Sequence, residues 1–126
     1  MTAIYDSGVL VAADRASRKT WADHRVRLEL GLVPVTTAPV VAQVSRSSRQ
    51  VQLHRFLRGC EIVGFEPAQA NTVGALVAAS SSVDVVDAHV IAVASQMPEP
   101  TVVTSDPDDM AQLADYVTPS VAIRSI

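Results

Sequence analysis

The chain predicts an α/β fold, a mostly parallel sheet of four to five strands wrapped by helices. Three observations carry that prediction. The composition is 48% hydrophobic, rich in Val and Ala, and only 4% aromatic, which suits packing of small and branched side chains and argues against disorder. Short apolar runs of strand length alternate with longer runs whose apolar residues recur at helical spacing. Gly and Pro stand where such elements end and begin. At 126 residues, residues 1–126 are expected to form one domain, with about two-thirds of the unfolded surface buried.

Ala3-Ile4-Tyr5 reads as the first strand, Asp6-Ser7-Gly8 as a tight turn, and Val9–Ala13 as the helix after it. Ser17–Leu30 is the next helix, closed by Gly31, with Trp21, Leu28 and Val26 facing inward and Arg18, Lys19, Arg25 and Arg27 outward. His24 is placed on its surface. Val33–Thr36 is a second strand; Thr37 caps the following helix, and Pro39 is tolerated in its first turn. In Val40–Arg46, Gln43 lies beside Val40 and Val44, so a polar side chain is expected to point inward. Arg49–Arg58 follows, with Val51, Leu53, Phe56 and Leu57 partly burying it and Gly59 ending it. His54 has no neighbour at metal-ligand spacing. Glu61–Phe65 is a third strand and Pro67–Ser80 a helix of small residues. Gly74 costs that helix about 1 kcal/mol against Ala unless a neighbour packs closely there. After the polar Ser80-Ser81-Ser82, a helix runs from Asp84 through Ala94, with Asp87, Val90, Ile91 and Ala94 on one face and His89 on another. Thr101–Thr104 is a fourth strand, Ser105-Asp106-Pro107-Asp108-Asp109 a helix start, and Ser120–Ile126 a fifth, edge strand.

Charge divides unevenly. Residues 1–60 hold nine of the ten basic residues against four acids, whereas residues 61–126 hold Arg124 alone against nine. A basic surface can therefore stand beside an acidic site. The single Cys60 cannot form an intrachain disulfide, which fits a reducing cytoplasm, and it reads as a small buried residue. No apolar run approaches the ~18 residues of a membrane span, and no basic-then-apolar leader opens the chain.

Three acids share one placement. Asp6 and Asp106 follow strands, and Asp87 opens a core helix. In an open parallel sheet such positions can gather at the carboxyl edge, where ligands collect. Each also has a plain structural reading: Asp6 as a helix cap, Asp87 as a first-turn acid behind an Asp84 cap, and Asp106 as part of an ordinary helix start. Carboxylates brought together repel one another, so a cluster calls for a cation. Hard oxygen ligands select Mg²⁺ or Mn²⁺ over zinc.

These pieces resemble the PIN domains of the VapC toxin family: Ile4-Tyr5-Asp6-Ser7, the Asp87-Ala88 pair opening a helix, and Thr104-Ser105-Asp106, in the same order across nearly the whole chain. The resemblance implies an α/β/α sandwich around a parallel sheet. It implies a type II toxin that hydrolyses RNA phosphodiesters with Mg²⁺ or Mn²⁺ held by Asp6, Asp87 and Asp106. It also implies inhibition by a co-encoded antitoxin. The small-residue helices and the basic hairpin of Arg46, Arg49, Arg55 and Arg58 offer surfaces for that contact and for a homodimer. The family usually carries Glu where this chain has Gln43, which can offer an oxygen but no charge. Asp84 and Asp109 stand near the presumed ligands and could supplement them. The alternative is a catalytically weak PIN-like module that binds RNA or a partner.

Overall fold

The computed structural model describes residues Met1–Ile126. Five strands and seven helices follow in order: β1 (Thr2–Tyr5), α1 (Ser7–Asp14), α2 (Arg18–Glu29), β2 (Val35–Thr37), α3 (Ala38–Val44), α4 (Val51–Leu57), β3 (Glu61–Val63), α5 (Ala70–Ser80), α6 (Val85–Ser95), β4 (Pro100–Thr104), α7 (Pro107–Ala114) and β5 (Ala122–Ser125). A 3₁₀ turn, Pro67–Gln69, leads into α5. The sheet order is β3-β2-β1-β4-β5, and every pairing is parallel. The expected α/β/α architecture is therefore present, with the sheet wholly parallel.

The chain first winds outward from β1 through β2 to β3, then crosses back to lay β4 against the other side of β1. Right-handed crossovers in these two directions put α1–α4 on one face and α5–α7 on the other. The strand order reverses between β1 and β4, so a crevice opens at their carboxyl ends. Asp6 and Asp106 are the residues placed there.

The core contains Ile4, Tyr5, Leu10, Leu53, Phe56, Ile91, Val102 and Met110 among its fully buried side chains. Helix α6 is its centrepiece. Ala88 through Ala94 are all buried, so the helix is enclosed on all sides instead of packing by the single stripe expected. An all-round apolar helix belongs inside a fold, and its small residues let α5, α7 and β4 approach closely.

Several expectations are corrected. His24 is 2% exposed, not a surface residue: its ring stacks on Phe56 at 3.9 Å and its Nδ1 lies 2.9 Å from the Tyr5 hydroxyl. Val26 and Leu28 face outward, at 54% and 39% exposed, because α2 docks through Trp21 and His24. Val51 is likewise exposed, and α4 is buried through Leu53 and Phe56. Gln43 is exposed. The buried arc of α3 is centred on Val40, Val41 and Val44, and at ~100° per residue Gln43 falls outside it. Nothing approaches within 4 Å of a Cβ built at Gly74, so no close neighbour compensates its cost. Strands β2 and β3 are shorter than expected, β2 beginning at Val35 after the buried Pro34.

Candidate functional site

Backbone geometry places the acids. Asp6 leaves β1 in extended conformation and caps α1, its Oδ1 accepting from Ser7 N at 2.7 Å. Its Oδ2 accepts from Thr104 Oγ1 at 2.8 Å. The same Thr104 oxygen accepts from Asp106 N at 2.9 Å. One buried hydroxyl at the end of β4 thus ties the exits of the two central strands together. Asp106 occupies the cap position of α7 but makes no side-chain capping bond, leaving its carboxylate exposed and free. Gly8 permits this closeness: a Cβ there would overlap Ser105 Oγ and lie 2.7 Å from Ser105 Cβ.

The third acid arrives from the other layer. Asp84 caps α6 by accepting from Asp87 N at 3.0 Å. Ser82 Oγ accepts from Asp84 N at 3.1 Å, and Ser80 Oγ from Ser82 N at 3.3 Å, so the serine run is a tied turn. Gln112 of α7 anchors it by donating to Ser80 O at 3.0 Å. Asp84 and Asp87 share a hollow of about 370 Å³ with Val83, Asp109 and Gln112. A second hollow of about 250 Å³ holds Ser105, Asp106, Asp108 and Asp109. Asp109 lines both, whereas the buried Asp6 and the exposed Gln43 line neither.

Asp6 and Asp87 each lie within the field of the neighbouring acids. Asp6, 3% exposed, has its pKa raised, chiefly by burial; its bonds to Thr104 and Ser7 oppose this, and the charges of Asp106 and Asp84 add to it. Asp87 is pushed up to about 7, by burial first, then by the charges of Asp6 and Asp84, a hydrogen bond shared with Asp84, and Asp106. A cation would relieve this repulsion, and the all-carboxylate donor set suits a hard divalent ion. By donor chemistry the residues fit Mg²⁺ or Mn²⁺, although no three of them stand at ion-holding geometry.

Behind Asp6 lies an arrangement the sequence reading missed. The buried Tyr5 hydroxyl bonds His24 Nδ1 and accepts from Arg27 at 3.2 Å. Burial pushes the tyrosine up to about 12, despite Arg27, and lowers His24. Only its place next to Asp6, as the last residue of β1, hints that Tyr5 matters, and nothing in the sequence pairs it with residues 24 and 27. Two other titratable groups stand apart. Cys60 is raised to about 12 by burial, which leaves the thiol protonated and unreactive. His89 stacks flat on Phe65 at 4.3 Å and meets Gln69 at 3.2 Å, away from the acids.

No family model matches the chain. No curated protein matches it. Among solved structures it is similar to the crystal structure of VapBC2 from Rickettsia felis bound to a DNA fragment from their promoter, with 16% identity and a TM-score of 0.70 over 100% of this chain and 99% of that one. At that identity the likeness is one of fold, and it covers every strand and helix described above.

Proposed function

We propose that the chain is the toxin of a type II toxin–antitoxin pair, a PIN-domain endoribonuclease that hydrolyses RNA phosphodiester bonds with Mg²⁺ or Mn²⁺. The observation that carries this reading is the tie by which Thr104 holds Asp6 and the Asp106 amide at the exits of β1 and β4, with Asp84 and Asp87 of α6 close enough for their charges to raise the Asp6 and Asp87 carboxyls. The likeness in fold to a VapBC2 complex supports it. Asp6, Asp87 and Asp106 would hold the ion, with Asp84 beside them. The ion, when bound, neutralises charge that builds on the phosphate in the transition state. Thr104 fixes Asp6 and the Asp106 backbone in one geometry, and Asp109, exposed and lining both hollows, takes the proton of the attacking water.

The antitoxin, an RNA substrate and a second copy of the chain are the partners proposed, in the cytoplasm. No single helix is long and apolar enough to cross a membrane. The exposed Val26 and Leu30 of α2 give an antitoxin apolar surface to cover. Gly74 and its exposed neighbours on α5 leave room for a second copy.

A second reading rests on one observation. The position where the family carries Glu is an exposed, neutral Gln43. On that reading the domain binds RNA or a partner without turnover. RNA cleavage in Mg²⁺ or Mn²⁺, compared between the wild type and Asp6→Asn, Asp87→Asn and Asp106→Asn, decides between them. Metal-dependent cleavage lost in all three variants supports the nuclease. Absence of cleavage by the wild type, with RNA still bound, supports the module.

A further inference from the structure

We infer that the groove between α2 and β5, floored by β4 and lined by Arg27 and Arg124, is a track for the sugar–phosphate backbone of single-stranded RNA leading to the acidic crevice. Arg124 is the only basic residue in the second half of the chain. It stands on an edge strand, exposed and without a carboxylate partner. The fold brings it across the sheet to Arg27: both line a hollow with Lys19, Asp23 and Ser125, and both line its continuation along Thr101 and Val103. The two hollows are shallow, about 20 and 60 Å³, so a sugar–phosphate backbone would lie over this seam, whose floor from Thr101 to Thr104 runs about 10–13 Å.

Three features make this more than a scatter of surface charge. Arg27 is pinned: its guanidinium lies 5.5 Å from the centre of the Tyr5 ring and donates one bond to the Tyr5 hydroxyl. The remaining N–H groups of its planar fork are left for an oxyanion, and little side-chain freedom is lost on binding. The acid in the groove, Asp23, is engaged by Lys19 at 3.4 Å, so Arg27 and Arg124 set its sign. The groove ends one residue short of the crevice, at Val103 and Ile126. Thr104 O accepts from Ile126 N at 3.1 Å at the groove's end, while Thr104 Oγ1 holds Asp6 and the Asp106 amide. A backbone lying along the arginines therefore arrives beside the carboxylates. The identity of the polyanion rests on the ribonuclease reading; the groove's charge and continuity do not.

Binding of a short fluorescent single-stranded oligoribonucleotide, measured in EDTA so that no cleavage intervenes, tests this. Arg124→Glu should weaken binding about 10-fold or more and reduce the salt slope by about one unit. Arg25→Glu, on the same helix but outside the groove, should change affinity less than about 2-fold. Polyglutamate should compete poorly. The inference is overturned if the wild type does not bind RNA, if Arg124→Glu binds as the wild type does, if Arg25→Glu is equally damaging, or if polyglutamate competes as well as RNA. Cleavage in Mn²⁺ is followed separately: binding that behaves as expected without cleavage removes the nuclease reading and keeps the groove.

Discussion

Asp87→Asn should stabilise the metal-free protein at neutral and alkaline pH. In the folded chain the Asp87 carboxyl is pushed from 3.8 to about 7, so between those values the folded state keeps a proton that the unfolded state has lost. Stability therefore falls as pH rises from about 4 to about 7 and levels off above. Three units correspond to about 4 kcal/mol at most. Asp87 is only half-buried, and solvent screening reduces this to about 1–2 kcal/mol. Its place in the first turn of α6 favours the anion by roughly 0.3–1 kcal/mol, which Asn also gives up. The net gain for Asn at pH 8 is about 1 kcal/mol, a rise in Tm of roughly 3–5 °C, with no gain at pH 4. The capping bond from the Asp87 amide to Asp84 survives, since it uses the backbone. The buried histidines work the other way, since their lowered pKa values make stability rise towards about pH 6.5. The quantity to follow is thus the difference between the two proteins' Tm–pH curves, in EDTA and again in millimolar Mn²⁺. The ion should raise the wild type at pH 8 and leave Asp87→Asn nearly unmoved. Parallel curves in EDTA would refute the burial and repulsion argument, and equal stabilisation of both proteins by Mn²⁺ would remove Asp87 from the ion site.

Thr104→Val should cost about 1–3 kcal/mol, since a buried hydroxyl serving Asp6 and the Asp106 amide is lost; thermal unfolding and Mn²⁺ calorimetry should show weaker metal binding, and unchanged binding would deny Thr104 its positioning role. Gly8→Ala should displace the Ser105 loop, lowering cleavage at least 10-fold, read from kcat with the fold checked by circular dichroism. Gln43→Glu should leave stability within about 0.5 kcal/mol, because the site is exposed, and a Tm drop beyond that would mean the side chain is buried after all. Tyr5→Phe should lose about 1–2 kcal/mol by stranding His24 Nδ1 and freeing Arg27, measurable by urea unfolding.

What the sequence determined by itself was whatever depends on neighbours a few residues apart. The alternation of strands and helices, Thr37 capping α3 through Val40 N, Asp84 capping α6 through Asp87 N, and Pro39 and Pro107 opening helices all follow from contacts within about one turn. The placement of Asp6 and Asp106 at strand exits is of the same kind. Which strands those exits adjoin was decided only by the tertiary structure, because the β3-β2-β1-β4-β5 order rests on pairings between residues far apart in the chain. The same holds for polar groups whose partners are distant. His24 reads as a surface residue of a basic helix, and it is buried because Tyr5 and Phe56 satisfy it. Gln43 reads as inward from its two valine neighbours, and it lies outside because α3 turns a different arc towards the core. Arg124 read as a lone cation in an acidic half, and only the closing of β5 against β4 sets it across from Arg27. Local propensity acts along the chain, whereas burial and electrostatics act through space, and space is what the sequence leaves unwritten until the sheet has formed.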